Sequence, residues 1–299
     1  MAQRVRRISP NGVAGKSAGG TTAPVGVFDT GVGGLTILRE LLRELPAERY
    51  LYFGDTGNCP YGVRTAEEIR SLTIDAVRFL IERGAKIIVV ACNTASVTAL
   101  DALRGTFDLP FVGVVPAVKP AAEHTRTGKV GVVATEASAR GHYLKDLIHQ
   151  FANGARVIAR GCPELVLLVE RGVLDGPEAE AAVRACTVPL LAEGIDQLVL
   201  GCTHFPAMRP VFERVAGPAV AVVDSGAAVA RQARRVLERE GWLAIPDGRA
   251  VSDPRPLRPD DEFWCSGDVA VFERTASAIL GEAVTARHAT SVPGCPALP

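Results

Sequence analysis

Short apolar segments alternate with amphipathic helical segments along most of the chain, and this alternation restricts the fold more than any other feature. The segments VGVF (25–28) and IIVV (87–90) are continuously apolar, as are strands covered on both faces of a parallel sheet. The segments between them place apolar residues at helical spacing, for example Leu38, Leu41 and Leu45. This pattern predicts an α/β fold in which helices connect parallel strands by right-handed crossovers.

The same pattern occurs twice. The segment VGVVATEAS (130–138) resembles VGVFDTGVG (25–33), and Cys202 follows Cys92 at a similar interval. Two similar offsets indicate two related halves. We therefore expect two similar parallel-sheet α/β domains related by a pseudo-twofold axis. The cleft between such domains is a frequent place for a small-molecule site, so we expect the active site there.

Composition excludes several classes of function. The 299-residue chain is 47% hydrophobic and has no formal net charge, which argues against nucleic acid as its main partner. No apolar run approaches the roughly 20 residues that a membrane-spanning helix needs. The basic start, MAQRVRRISP, is not followed by an apolar segment, so we expect no secretory signal and no membrane association.

The seven cysteines are odd in number and include no Cys-x-x-Cys pair. This predicts free thiols in a reducing cytoplasm, with neither a disulfide framework nor a zinc ribbon. Cys59 and Cys186 are interpreted as small buried hydrophobic residues. No metal-ligand cluster and no cofactor-binding lysine is evident from the motifs.

Cys92 and Cys202 each follow an apolar strand segment by two residues. Ligands of open α/β sheets bind at the carboxyl ends of the strands, so both thiols are placed where chemistry is expected. His204 can orient or help to ionise Cys202, because the thiolate is the reactive form of cysteine. Either motif alone fits a core cysteine beside a helix cap. The matched pair favours a site with a proton-transferring group on each side of a substrate.

Asp29 ends the first strand and precedes the turn GVGG (31–34), which has two open interpretations. Its amides can hold an anion, with glycine required by unusual dihedral angles and close approach. Alternatively, Asp29 caps the following helix. The tripeptide Asp-Thr-Gly, at 29–31 and 55–57, is also typical of aspartic proteases. Those enzymes are all-β, so the alternating pattern disfavours that interpretation.

Five motifs together carry a resemblance to a known family. They are FDTGVGG, YFGDTGNCPYG (52–62), VVACNTAS (89–96), GCPELVLLVE (161–170) and GCTHFPAM (201–208). They occur in the order seen in glutamate racemases, and the chain resembles that family over about residues 24 to 275. Both ends of the chain fall outside the resemblance.

The resemblance implies interconversion of L- and D-glutamate without a cofactor or metal. Cys92 and Cys202 match the two cysteines that face opposite sides of the substrate α-carbon. Asp29 and His204 match residues that assist these thiols, and Glu170 matches a carboxylate near the histidine. The positions that match the family's substrate-binding residues are Asp29, Thr30, Pro60, Tyr61, Gly62, Asn93, Thr94, Thr203 and His204.

The resemblance also implies the domain organisation. We expect a tail at 1–23, a first domain at 24–116 completed by 224–275, and a second domain at 117–223. Residues 276–299 are expected to hold the end of the last helix and a tail.

Three positions depart from the family pattern. Thr30 stands where many relatives have serine, Asn58 where a basic residue is common, and Leu167 where proline is frequent. None of these changes removes a catalytic group. A racemase for aspartate or a related acid, and a non-catalytic anion-binding module, remain alternatives. The family further implies a cytoplasmic enzyme, possible homodimers, and a supply of D-glutamate for peptidoglycan synthesis.

Overall fold

Two parallel sheets form the framework of the computed structural model, which describes residues 21–245 and 253–289. The predictions for residues 1–20 and for the last segment, SVPGCPALP, lie outside the described residues. The strands are β1 (Val25–Asp29), β2 (Tyr50–Gly54), β3 (Ile87–Val90), β4 (Phe111–Gly113), β5 (Lys129–Ala134), β6 (Arg156–Gly161), β7 (Gln197–Leu200), β8 (Ala221–Val223), β9 (Glu262–Cys265) and β10 (Ala286–His288).

The two sheets repeat one strand order. The first sheet runs β10-β9-β2-β1-β3-β4 and the second runs β6-β5-β7-β8, with all neighbouring strands parallel. The order β2-β1-β3-β4 therefore recurs as β6-β5-β7-β8. The α/β fold class with two parallel sheets is confirmed, and the recurrence agrees with the repeat read from the motifs.

Helices connect consecutive strands along the described chain. They are α1 (Leu35–Glu44), α2 (Ala66–Glu82), α3 (Asn93–Thr106), α4 (Val118–His124), α5 (Glu136–Arg140), α6 (His142–Phe151), α7 (Pro163–Glu170), α8 (Pro177–Ala192), α9 (Arg209–Ala216), α10 (Gly226–Glu240) and α11 (Val269–Leu280). Helix α1 buries Leu38 and Leu41 against the first sheet, and α2 begins with a capping box between Thr65 and Glu68.

The central strands were predictable and the edge strands less so. Every residue of β1, β3 and β7 is buried, which is why each of these strands contains an apolar run of three residues or more. Strand β6 lies at a sheet edge, is only partly buried and carries exposed Arg156 and Arg160. Strand β10 has three residues and follows α11 at the far edge of the first sheet. Neither of these edge strands was apparent from the apolar pattern.

One cysteine expectation is wrong. Cys162, at the amino-terminal cap of α7, and Cys186, within α8, are joined by a disulfide, with Cα atoms 6.1 Å apart. Cys186 is buried as expected but is not a free thiol. The cysteine count does not indicate this pairing because the two residues meet only when α7 packs on α8. Among the described residues, Cys59, Cys92 and Cys202 are free thiols.

Within residues 21–245 and 253–289, no helix combines the length and the apolar composition needed to cross a bilayer.

Candidate active site

The two cysteines singled out by the motifs occupy equivalent places in the two sheets. Cys92 follows β3, and Cys202 follows β7, the strand at the matching position of the repeat. Both are buried and line one narrow cleft, whose free space is about 320 Å³ including its opening to solvent. Parallel strands thus bring two thiols from distant parts of the chain to one place.

Most residues predicted to bind substrate surround the same cleft. Its wall includes Thr30, Pro60, Tyr61, Gly62, Asn93, Thr94, Thr203 and His204. Asp29 is fully buried behind this wall. The cleft also contains Cys59, Thr135 and Val166, which the motif reading did not assign to the site. Thr135 lies in the repeat segment 130–138 and Val166 in the motif 161–170, but the motifs assign no role to either residue, so only the folded chain places them in the site.

Cys92 lies at the amino terminus of a helix. It is the N-cap of α3, and its Sγ accepts a hydrogen bond from the Ala95 amide at 3.4 Å. The hydroxyl of Thr30 lies 3.6 Å from the same sulfur. Burial, followed by the charge of Asp29, raises the pKa of the Cys92 thiol to about 12, although both hydrogen bonds oppose this shift. Cys92 is therefore a neutral thiol at neutral pH.

Asp29 connects the two halves. Its Oδ1 accepts a hydrogen bond from the Gly31 amide at 2.8 Å, and its Oδ2 accepts one from Thr203 Oγ1 at 3.2 Å. Nearby, the Thr36 hydroxyl donates to the Thr203 carbonyl at 2.8 Å. Burial raises the pKa of Asp29 to about 6, against the opposing charge of His204. Asp29 is therefore harder to ionise than an ordinary aspartate.

Cys202 belongs to a hydrogen-bonded series of three side chains. His204 places Nδ1 3.6 Å from Cys202 Sγ and Nε2 2.6 Å from Glu170 Oε1. Burial lowers the pKa of His204, but hydrogen bonds with Cys202, Cys59 and Glu170 outweigh it and hold this pKa well above its ordinary value. The imidazole beside Cys202 therefore holds its proton more tightly than an ordinary histidine does. The two cysteines thus have different surroundings.

The amides of the glycine turn after β1 bind carboxylates that belong to this chain. The Gly31 amide binds Asp29, and the Val32 amide donates to Glu170 Oε1 at 2.9 Å. Helix α1 has no side-chain cap. Glycine is required by close approach alone, since Gly31 and Gly33 do not have positive φ. A Cβ on Gly31 would lie 1.9 Å from Glu170 Oε1, and one on Gly33 would lie 2.5 Å from His204 Nδ1.

The second Asp-Thr-Gly segment anchors the loop that covers the cleft. Asp55 is buried, and its carboxylate accepts hydrogen bonds from Tyr61 Oη and Ser266 Oγ, both at 2.5 Å. The Asn58 side-chain amide donates to the same carboxylate at 3.0 Å. Asp29 and Asp55 thus bind different partners on an α/β framework, which excludes the aspartic-protease interpretation. Sequence reasoning missed this positioning role of Asp55.

Cys59 has a more polar environment than expected. It is only half-buried, and its Sγ lies 3.6 Å from Glu170 Oε1. Cys59, Glu170 and His204 place one potential metal-ligand atom each within 4.8 Å of one another. The motifs showed no metal-ligand cluster because these three residues come from three separate segments of the chain.

The family to which the chain belongs follows from comparison with known proteins. The family model described as Asp/Glu/Hydantoin racemase matches residues 25–233. This segment contains Cys92 and Cys202 together with the residues that surround them.

Individual relatives agree over most of the chain. Glutamate racemase of Herpetosiphon aurantiacus is 46% identical over 251 residues, covering 84% of this chain and 95% of the relative. That of Deinococcus radiodurans is 50% identical over 243 residues, covering 79% and 84%.

Solved structures agree with these relatives. The crystal structure of glutamate racemase isoform RacE1 from Bacillus anthracis matches with a TM-score of 0.78 and 32% identity, covering 91% of this chain and 98% of that chain. The Escherichia coli glutamate racemase, in complex with L-glutamate and the activator UDP-MurNAc-ala, matches with a TM-score of 0.76 and 33% identity, covering 89% and 98%. The chain therefore belongs to the Asp/Glu/Hydantoin racemase family and, over most of its length, is similar to the glutamate racemases within it.

Proposed function

We propose that this protein interconverts L- and D-glutamate without a cofactor, using Cys92 and Cys202 as the two proton-transferring groups. The observation that carries the proposal is the placement of these two sulfurs at equivalent strand ends in one buried cleft. The relatives named glutamate racemase support the choice of substrate.

Inversion at the α-carbon needs one proton removed from one face and another delivered to the opposite face. One thiolate removes the α-proton while the opposite thiol supplies a proton, so the substrate does not turn over in the site. The surroundings of the two sulfurs differ: Cys202 lies beside the His204 imidazole, whose pKa is held well above its ordinary value, and Cys92 is a buried thiol whose pKa is raised. We assign proton removal in one direction to Cys202, with His204 as the group that assists it.

Reaction from the other enantiomer needs the reverse distribution of protons. Cys92 must then lose its proton, and the helix amino terminus and the Thr30 hydroxyl stabilise the resulting negative charge. Asp29, with its pKa near 6, is the carboxyl group that assists this side. By family analogy, Cys92 acts on D-glutamate and Cys202 on L-glutamate.

The remaining wall of the cleft supplies polar groups for the substrate. Asn93 and Thr94 form the first turn of α3, where amides without intrahelical partners favour a carboxylate. The Thr30 hydroxyl lies 3.6 Å from Cys92 Sγ. Thr203 follows Cys202 in the chain and lines the same cleft. Because the α-proton is far less acidic than a thiol, these groups must also stabilise the developing carbanion.

The test uses Cys92→Ala and Cys202→Ala, with Cys265→Ala as the matched control. Cys265 is a buried cysteine on β9, which β2 and β1 separate from β3 in the first sheet. Racemisation is followed by circular dichroism, and exchange of the glutamate α-proton by NMR in deuterated water. We expect each active-site variant to lose racemisation in both directions and the control to retain it. Ordinary racemisation by either active-site variant would contradict the two-base assignment.

A β-halogenated glutamate assigns each cysteine to one enantiomer. Elimination requires only one base, since removal of the α-proton is followed by loss of halide from the β-carbon. Cys202→Ala should eliminate halide only from the D-configured analogue, and Cys92→Ala only from the L-configured one. The opposite preference would reverse the assignment while leaving the two-base mechanism intact.

A substrate panel separates glutamate from the alternatives. An aspartate racemase would turn over aspartate faster than glutamate, and a non-catalytic anion-binding module would exchange no α-proton of either acid. The supply of D-glutamate for peptidoglycan, a cytoplasmic location and a homodimer belong to the same proposal. Sedimentation analysis at several protein concentrations tests the homodimer.

A further inference from the structure

Cys59, Glu170 and His204 form a compact group beside the proposed catalytic sulfurs. Glu170 Oε1 lies 3.6 Å from Cys59 Sγ and 2.6 Å from His204 Nε2. Cys202 lies on the other side of the imidazole, near Nδ1, and is not a member of the group. Three donor atoms of three chemical types thus converge on one point.

We propose that Cys59, Glu170 and His204 form an inhibitory binding site for a divalent cation of the Zn²⁺ class. Thiolate, imidazole and carboxylate are the three ligand types that Zn²⁺ takes in proteins. Three protein ligands leave a fourth tetrahedral position for water.

The geometry needs little adjustment. Ordinary zinc–ligand lengths at a tetrahedral angle put sulfur and oxygen about 3.6 Å apart and nitrogen and oxygen about 3.4 Å apart. The observed sulfur–oxygen distance of 3.6 Å already meets the first value. The nitrogen–oxygen distance of 2.6 Å must widen, as expected when a cation replaces the proton that His204 and Glu170 share.

A separate path leads to this site. Glu170 is 19% exposed and lines a surface groove next to the cleft, so a cation can reach it without passing between Cys92 and Cys202. The groove also carries the acidic side chains of Glu164, Glu178 and Asp268, against the single base Arg171. An acidic groove raises the local concentration of cations.

Occupation of this site changes the surroundings of one proposed base, so the inhibitory part of the inference rests on the proposed function. A cation at His204 Nε2 replaces the hydrogen bond from this ring to Glu170. Because Cys59 and His204 both line the cleft, the cation and its fourth ligand also take space that the substrate needs. We therefore expect reversible loss of racemisation that a chelator restores.

Binding is measured with Co²⁺ alone, because a thiolate ligand gives cobalt an intense near-ultraviolet charge-transfer band. The wild-type protein should show this band on titration. Cys59→Ser should lose it, and Cys92→Ser should keep it as the matched control. Glu170→Gln keeps its size but loses its charge and should weaken Co²⁺ binding at least about tenfold. Absence of the band in wild type, or its survival in Cys59→Ser, would overturn the site.

Inhibition is measured separately with Zn²⁺, comparing each variant with its own metal-free rate. The concentration for half-inhibition should rise at least about tenfold in Cys59→Ser relative to wild type. A cobalt band without Zn²⁺ inhibition of an active wild-type enzyme would overturn the inhibitory role. A cobalt band in a protein that racemises no glutamate would instead contradict the proposed function, so the two failures are distinguishable.

Discussion

Replacement of Gly31 by alanine tests how the glycine turn controls the Cys202 side of the cleft. The new Cβ would lie 1.9 Å from Glu170 Oε1 and 2.7 Å from the carboxyl carbon. Glu170 is the flexible partner in this clash, so its carboxylate should rotate away while the backbone stays in place. The rotation breaks its hydrogen bonds with His204 and the Val32 amide.

The loss can be estimated from these two contacts. A hydrogen bond to a charged group contributes about 1.5–3 kcal/mol. Loss of the His204 contact alone should therefore lower kcat roughly ten- to a hundredfold. Loss of the partner of the buried Val32 amide should lower the free energy of unfolding by about 1–3 kcal/mol.

The assay combines racemisation rates with urea unfolding of Gly31→Ala, Glu170→Ala and the double variant. Because alanine at 170 removes the clashing atoms, the double variant should be no slower than Glu170→Ala. Gly105→Ala is the matched control, since a Cβ on this exposed α3 glycine meets nothing within 4 Å. The control should gain about 0.5–1 kcal/mol of stability. Full activity of Gly31→Ala, or independent additive losses in the double variant, would refute this reasoning.

Three further predictions concern single side chains of the cleft. His204→Asn should lower kcat about a hundredfold or more in the direction that uses Cys202 as base, and less in the other. The ratio of the two kcat/KM values must stay at one because enantiomers have equal free energy. Initial rates in both directions are measured by circular dichroism. Equal loss of kcat in the two directions would argue against a side-specific role. Asp29 should make wild-type unfolding depend on pH: its pKa is raised from 3.8 to about 6, so the native state binds its proton more tightly than the unfolded state. The free energy of unfolding should therefore fall as pH rises from about 4 to about 6, by up to about 3 kcal/mol. Urea unfolding of Asp29→Asn should lack this part of the decline. Identical pH profiles for the two proteins would contradict the raised pKa of Asp29. Asp55→Ala should raise KM about tenfold, more than it lowers kcat, because the loop carrying Tyr61 loses its hydrogen bonds to the Asp55 carboxylate. Asp55→Asn should restore part of the affinity for substrate. A change in kcat alone would contradict the positioning role of Asp55.

The sequence predicted the central strands and the two cysteine positions because buried parallel strands are continuously apolar. The strand before Cys92 and the strand before Cys202 are each buried on both faces, and each leaves its cysteine at the carboxyl end. Strand β6 was missed because an edge strand exposes alternate residues and admits arginine.

Contacts between distant segments were the hardest to predict. The disulfide between Cys162 and Cys186 depends on how two helices pack. The environment of Cys59 depends on Glu170 and His204, which arrive from the other half of the repeat. Motif order predicted the candidate site residues, whereas only the packing of the two sheets shows that the glycine turn binds two carboxylates of the chain itself.

The hydrogen bond from Thr203 to Asp29 joins the two halves of the chain beside the cleft. Both proposed catalytic sulfurs lie close to this bond: Cys202 precedes Thr203, and Cys92 Sγ lies 3.6 Å from the hydroxyl of Thr30, the neighbour of Asp29. If the halves rotate about this bond to admit an amino acid, atoms near the rotation axis move least. The distance between the two sulfurs would then change little while more distant parts of the cleft open.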